Sequence, residues 1–273
     1  MGVIRENRTG SSSERRATGL KENTDGSWIY DLNYEIPPGR KGSGGAVTDV
    51  TGEGRNGNPP RVLLLYYTYT GQSLKVLEAA GEVFRERGCD VDMAPIQFTD
   101  RRYAERFSRF PLRRVWPDML SVLTAQKRGD IGEIRTPDTV RDGDYDLICI
   151  GSPTWWQTVS MPMRSFLMSS EARTLLSGKP FAVFVVCRQY WLENLTAVRE
   201  LAQEQGGKFV DEIHFTYPGD SVRSMLSLTS YLGSGKYRDK YLGVRLPPTN
   251  IQPEQIEQTR KFAASLVDRL FAK

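Results

Sequence analysis

Two continuous apolar runs, Leu147-Ile148-Cys149-Ile150 and Phe181-Ala182-Val183-Phe184-Val185-Val186, constrain this chain more than any other feature. A strand that is apolar at every position has to be covered on both faces, whereas a half-exposed strand alternates. A third apolar run, Val62 to Tyr67, leads into Ser73 to Arg87, where Leu74, Leu77, Ala80 and Phe84 have helical spacing and Gly88 supplies the stop. Further strands are expected at Asp90 to Pro95 and Lys208 to Phe215, and helices near Met161 to Leu176, Leu192 to Gln205 and Pro253 to Phe271. Five short strands alternating with helices make an α/β pattern, a doubly wound parallel sheet with helices on both faces.

Domain organisation follows from where this pattern stops. Residues 1–60 are rich in Gly, Ser, Arg and Asn, with too few apolar side chains to offset the entropy of ordering, and are expected to form a flexible arm. Within it, Trp28 to Tyr34 alternates enough to make a strand or a docking hook. Residues 61–273 form one α/β domain with two long connections, near 97–145 and 216–250. The first holds a basic aromatic cluster, Arg101 to Trp116, before a helix around Asp118 to Gln126, and the second holds Met225, Leu226, Leu228, Tyr231, Leu232, Tyr237 and Tyr241. Both contain enough apolar side chains to pack rather than to remain disordered.

Composition narrows the function classes. The 37 basic residues are interspersed with 33 acidic ones, a net charge of +4, so no basic block points to nucleic acid. No apolar run approaches the ~20 residues needed to cross a bilayer, and the N-terminus lacks the apolar core of a secretory signal, which predicts a cytoplasmic protein. The one histidine, His214, lies in an alternating strand segment and reads as structural, which argues against multi-histidine metal sites and Ser-His hydrolases. Cys89, Cys149 and Cys187 are widely spaced and read as buried thiols. The stretch Ser224 to Leu232, flanked by Arg223 and Lys236, reads as a buried lid, with interfacial membrane contact as the minor alternative. A homodimer is a possible assembly that no sequence feature decides.

The chemistry concentrates in three turns that follow strands. Thr68-Tyr69-Thr70-Gly71-Gln72-Ser73 places hydroxyls and a glycine between strand and helix, where unpartnered backbone N–H groups and the helix dipole can bind a phosphate without a lysine. Gly151-Ser152-Pro153-Thr154-Trp155-Trp156 stiffens a second turn and offers planar faces on which a heterocycle can stack, although either indole could instead pack under the next helix. Cys187-Arg188-Gln189-Tyr190-Trp191 adds donors and a cation able to stabilise negative charge on a reduced ring, or alternatively a helix start with Trp191 anchored in the core. In a parallel sheet all three lie at the carboxyl edge, where ligands bind.

Leu63 to Ser73, Gly151 to Trp156 and the Lys179-Pro180 lead into a buried strand together resemble the flavodoxin-like family over residues 61–273, with Ser73 in place of the usual final threonine. The resemblance implies a five-stranded parallel sheet of order 2-1-3-4-5, noncovalent FMN and redox chemistry at the flavin. It also implies that Thr68, Thr70, Gly71, Gln72 and Ser73 hold the phosphate, with Pro153, Thr154, Trp155 and Trp156 on one side of the ring and Arg188, Gln189 and Tyr190 on the other. The third turn is the least family-like. Met161 to Leu167, Cys187 to Trp191 and Leu246-Pro247-Pro248 are similar to a flavodoxin-like branch labelled dialkylresorcinol-condensing enzyme, which implies aromatic lipid biosynthesis, yet these motifs contain no condensing nucleophile. The basic insert departs from acidic electron-carrier flavodoxins and favours anionic partners.

The expected function is an FMN-dependent oxidoreductase passing electrons or hydride from NAD(P)H to a quinone-like or aromatic small-molecule acceptor, with no metal. The alternative is a non-catalytic binding protein, scaffold or electron carrier of the same fold. Whether the segment Met225 to Tyr241 covers the cofactor turns or packs elsewhere is the feature that separates these readings.

Overall fold

A computed structural model of the chain describes residues 20–22, 28–30, 58–107 and 109–271. The expected flexible arm lies outside the described residues except for residues 58–60 and two short strands, β1 (Leu20–Glu22) and β2 (Trp28–Tyr30), which pair antiparallel with Leu20 opposite Tyr30. The expected strand or hook thus appears as β2, and residues 31–34 are not described.

The three apolar runs form the centre of a parallel sheet. β3 (Arg61–Tyr66) pairs with β4 (Asp90–Pro95) on one side and with β7 (Leu147–Trp155) on the other. β9 (Pro180–Cys187) and β10 (Lys208–Thr216) continue it, so the order is β4-β3-β7-β9-β10, which is 2-1-3-4-5 in chain order. This is the flavodoxin-like order, with the chain reversing direction of travel between β3 and β7. The short pair β5 (Gln97–Phe98) and β6 (Ile134–Arg135) lies in the first long connection.

Side chains of the central strands alternate between two apolar layers. Leu63, Leu65, Ile148, Ile150, Val183 and Val185 face one layer, and Val62, Leu64, Tyr66, Cys149, Ala182 and Phe184 the other. α1 (Gln72–Glu86) covers the second layer with Leu74, Leu77 and Phe84, beside the C-terminal helix Pro253–Leu270, which contributes Ala263 and Leu266. The first layer is covered by Phe166, Leu167, Leu175 and Val198. Each fully buried aliphatic or aromatic side chain contributes roughly 1.5–3 kcal/mol, which is why these uninterrupted runs can occupy only the middle of the sandwich. Gly151 is required by packing: a Cβ there would stand 2.6 Å from Leu77 Cδ1.

Two expected elements change length. The helix expected over Met161 to Leu176 is two helices, Met161–Leu167 and Ser170–Leu176, because the Ser169 hydroxyl accepts from the Ala172 N–H at 3.1 Å and starts a new helix. β7 runs on to Trp155 instead of ending at Gly151, because pairing with β9 persists through Pro153 opposite Val186. The chain then reverses at Trp156 and Gln157, both at positive φ (46° and 74°), into β8 (Thr158–Val159). The second of the three turns is therefore a hairpin tip on an extended strand.

Cys89, Cys149 and Cys187 are free and buried. Burial pushes the Cys89 thiol up to about 12 and, against a hydrogen bond with the Thr154 hydroxyl, the Cys187 thiol up to about 11. Burial also holds Cys149 well above the ordinary range. Since the thiolate is the nucleophile, a disulfide reagent at about pH 8 is expected to leave the native protein unlabelled over minutes and to titrate all of them in denaturant. Labelling of a native cysteine on the same timescale would contradict the burial.

Candidate functional site

The first turn leaves β3 at the reversal point of the sheet, between β4 and β7, the place where doubly wound sheets bind their ligands. Gly71 has φ 76°, the left-handed region that glycine enters without strain, and it is the N-cap of α1 with no side chain capping the helix. The first N–H groups of a 15-residue helix therefore face this turn. A Cβ built on Gly71 meets nothing within 4 Å, so the space in front of the backbone is open. Thr68 and Ser73 are buried beside it and Thr70 is half-buried.

The three turns converge. The Tyr67 N–H donates to the Gly151 carbonyl at 3.3 Å, and the Tyr67 ring meets Trp155 edge-on with centroids 5.5 Å apart. Asn194, buried under the third turn, donates through Nδ2 to the Thr154 hydroxyl at 2.9 Å, joining the second turn to the third. Tyr190 closes the third turn at φ 64° and is exposed, and Gln189 is half-buried. Desolvation lowers the Arg188 pKa from its usual value, yet the group stays cationic, and its Nη1 donates to the Ser221 carbonyl at 3.4 Å.

Of the paired indoles, Trp155 is wedged against Phe107, with centroids 4.8 Å apart, and against Phe98. Trp156 donates its Nε1–H to the Met119 carbonyl at 3.1 Å. Both are thereby engaged by the first insert. Trp191 is the anchored residue expected of a helix start: it stacks on His214 at 3.6 Å with parallel planes, and His214 Nδ1 lies 3.1 Å from Glu212 Oε2.

Both long connections fold over this edge. In the first, α3 here denotes Val115–Ser121 and α2 denotes Ala104–Phe107; the expected helix over Asp118 to Gln126 is α3 followed by a second short helix, Leu123–Arg128. The second carries α9 (Ser221–Ser234), capped by Asp220, which accepts from the Val222 and Arg223 N–H groups. The Tyr69 hydroxyl donates to the Arg109 carbonyl at 2.6 Å, and the Leu112 N–H donates to the Leu232 carbonyl at 2.8 Å, so the first turn and the two inserts are tied together. Phe110 packs against Tyr231 at 5.0 Å.

Gln72 is the centre of this roof. Its Nε2 donates to the Tyr237 hydroxyl at 2.7 Å, its Oε1 accepts from the Ile251 N–H at 2.8 Å, and Tyr231 stacks on Tyr237 with centroids 4.3 Å apart. The Tyr231 hydroxyl also donates to the Thr70 carbonyl at 3.3 Å. Burial raises the Tyr231 pKa, so it remains a neutral donor. The segment Met225 to Tyr241 thus packs on the first turn, and Gln72 points into it as a bracket, with the Thr70 carbonyl held on the same side and open space only at Gly71. Sequence reasoning placed Gln72 at the site but missed Tyr231, Tyr237, Asn194 and Gln126. The last is buried and donates to the Trp155 and Val159 carbonyls, which fixes the hairpin tip.

Among the described residues no group of three or more His, Cys, Asp or Glu side chains could hold a metal, and no helix is long and apolar enough to cross a membrane. No protein-family model matches the chain, nor does any curated protein. Among solved structures, a flavoprotein in complex with FMN from Lactobacillus acidophilus is 19% identical over 57% of this chain and 93% of its own, with a TM-score of 0.43. Flavodoxin 1 from Bacillus cereus is 14% identical over 77% of this chain and 99% of its own, with a TM-score of 0.43. Rubredoxin oxygen:oxidoreductase from Desulfovibrio gigas is 12% identical over 79% of this chain and 36% of its own, with a TM-score of 0.42.

Proposed function

We propose that the chain binds FMN noncovalently at the carboxyl edge of the sheet and works as an FMN-dependent oxidoreductase, taking electrons or hydride from NAD(P)H and passing them to a quinone-like or aromatic acceptor. The observation that carries this reading is the uncapped start of α1 behind Gly71, open in front and flanked by the hydroxyls of Thr68, Thr70 and Ser73, at the reversal point of a 2-1-3-4-5 sheet. A phosphate fits such a cradle because backbone N–H groups and hydroxyls supply donors where the helix dipole is positive.

On this reading Thr68, Thr70, Gly71, Gln72 and Ser73 hold the phosphate, with Gln72 shaping the cradle from behind. Pro153, Thr154, Trp155 and Trp156 flank the ring on the β7 side, and Arg188, Gln189 and Tyr190 on the β9 side. Bound flavin would supply the redox chemistry that no side chain here has. Arg188 would stabilise negative charge at the ring edge, and Trp155 and Trp156, braced by Phe107 and Met119, would keep water from one flank. A quinone-like or aromatic acceptor would be one that stacks on the exposed face of the bound ring.

The roof favours one second reading, an electron carrier or scaffold of the same fold, because Tyr231 and Tyr237 already cover part of the cradle. Absorbance between ~350 and ~500 nm and titration of stripped protein with FMN and riboflavin test the proposal. FMN is expected to bind at least tenfold tighter than riboflavin, and Thr70→Ala and Ser73→Ala each to weaken FMN by ~10–100-fold, the range for a hydrogen bond to a charged group. A protein that takes up no flavin, or binds both flavins alike, rules out the cradle. Loaded protein that oxidises neither NADH nor NADPH is a carrier.

A further inference from the structure

On the side of α9 away from the cradle lies a groove of about 530 Å³, bounded by α3 and by the turn carrying Tyr241 and Leu242. Its walls are apolar: Val115, Trp116 and Pro117 on one side, Met225, Leu226 and Leu242 on the other. Trp116 and Leu242 are exposed large hydrophobic residues. The volume is that of a small-molecule site.

Among the polar residues on its walls, Thr229 and Ser234 are satisfied within the helix, donating to the Met225 and Ser230 carbonyls. Arg238 also lines the groove, and among the described residues it has no ion-pair partner.

We propose that this groove binds a small amphiphilic carboxylate, its apolar body against Trp116 and Leu226 and its carboxylate on Arg238. The planar guanidinium matches a carboxylate's two oxygens. A single arginine on the groove wall neutralises a monoanion, whereas a phosphate dianion would remain half uncompensated. The site stands whether or not the cradle holds a flavin. It shares α9 with the roof, since Tyr231 follows Ser230 directly.

Calorimetric titration of the full-length protein with sodium octanoate tests this, with octan-1-ol and octylamine as neutral and cationic counterparts. Octanoate is expected to bind saturably at one site and at least ~10-fold tighter than either counterpart, the minimum for a charge-assisted bond. Arg238→Gln, at an exposed position, should remove that preference, and Leu226→Glu should abolish octanoate binding, each with an unchanged melting temperature. The proposal is overturned by no saturable octanoate binding, by octanol binding as tightly as octanoate, or by undiminished binding to Arg238→Gln. Should Leu226→Glu fail to fold, the Arg238→Gln result decides alone.

Discussion

Gln72→Leu is expected to lower the unfolding free energy by about 3 kcal/mol and to loosen the segment 216–250 from the rest of the domain. Leucine keeps the volume of a side chain that is only 2% exposed, so no cavity opens. What it removes is the amide that donates to the Tyr237 hydroxyl and accepts from the Ile251 N–H. Each group stranded in a buried setting costs roughly 1–3 kcal/mol, and the gain from burying an apolar side chain offsets only part of the sum. A urea titration would show a lower midpoint with an unchanged slope, and limited proteolysis would cut within 216–250 earlier than in the parent. A variant within about 0.5 kcal/mol of the parent would mean that Tyr231 and Tyr237 are held by stacking and packing alone.

The same contact explains where sequence reading stops. Gln72 and Tyr231 are 159 residues apart, and nothing in the spacing around either one specifies the other. By contrast, the burial of the central strands was legible because Leu63, Ile148 and Val183 sit in runs whose only stable surroundings are two helical layers, while the strand order came from the family resemblance. The first turn was legible for a local reason, since a hydroxyl-rich stretch between an apolar run and a helical period marks a strand-to-helix turn with unpartnered N–H groups. From sequence the second turn starts at Gly151, because Pro153 has no N–H to donate and usually marks the end of a strand. Here the strand continues past it on the strength of its pairing with β9. Positive φ at Trp156 and Gln157 carries no sequence signal at all, since hairpin tips of that shape normally use Asn and Gly. That both indoles are claimed by Phe107 and Met119 is likewise a tertiary outcome, set by how the first insert folds back.

Placing a carboxylate at the cradle separates binding from folding more decisively than deleting a hydroxyl. Thr70→Asp is expected to reduce FMN affinity by about a thousandfold, while leaving stability unchanged or slightly higher. Thr70 is half-buried and precedes the N-cap of α1, so an aspartate there can be solvated and sits where the helix dipole favours negative charge, an effect of about 0.3–1 kcal/mol. The carboxylate would then occupy the electrostatic place of the phosphate: two unit charges about 4 Å apart at an effective dielectric near 20 repel by ~4 kcal/mol, which is a thousandfold in affinity. Thr70→Asn has the same shape without the charge and should lose no more than the tenfold to hundredfold of a missing hydroxyl. Raising the salt concentration should recover part of the Thr70→Asp loss and little of the Thr70→Asn loss, because screening acts on the first and not on the second. Equal FMN affinity in the aspartate and asparagine variants would place the phosphate away from Thr70 and Gly71, and with it the turn that the rest of the site is built around.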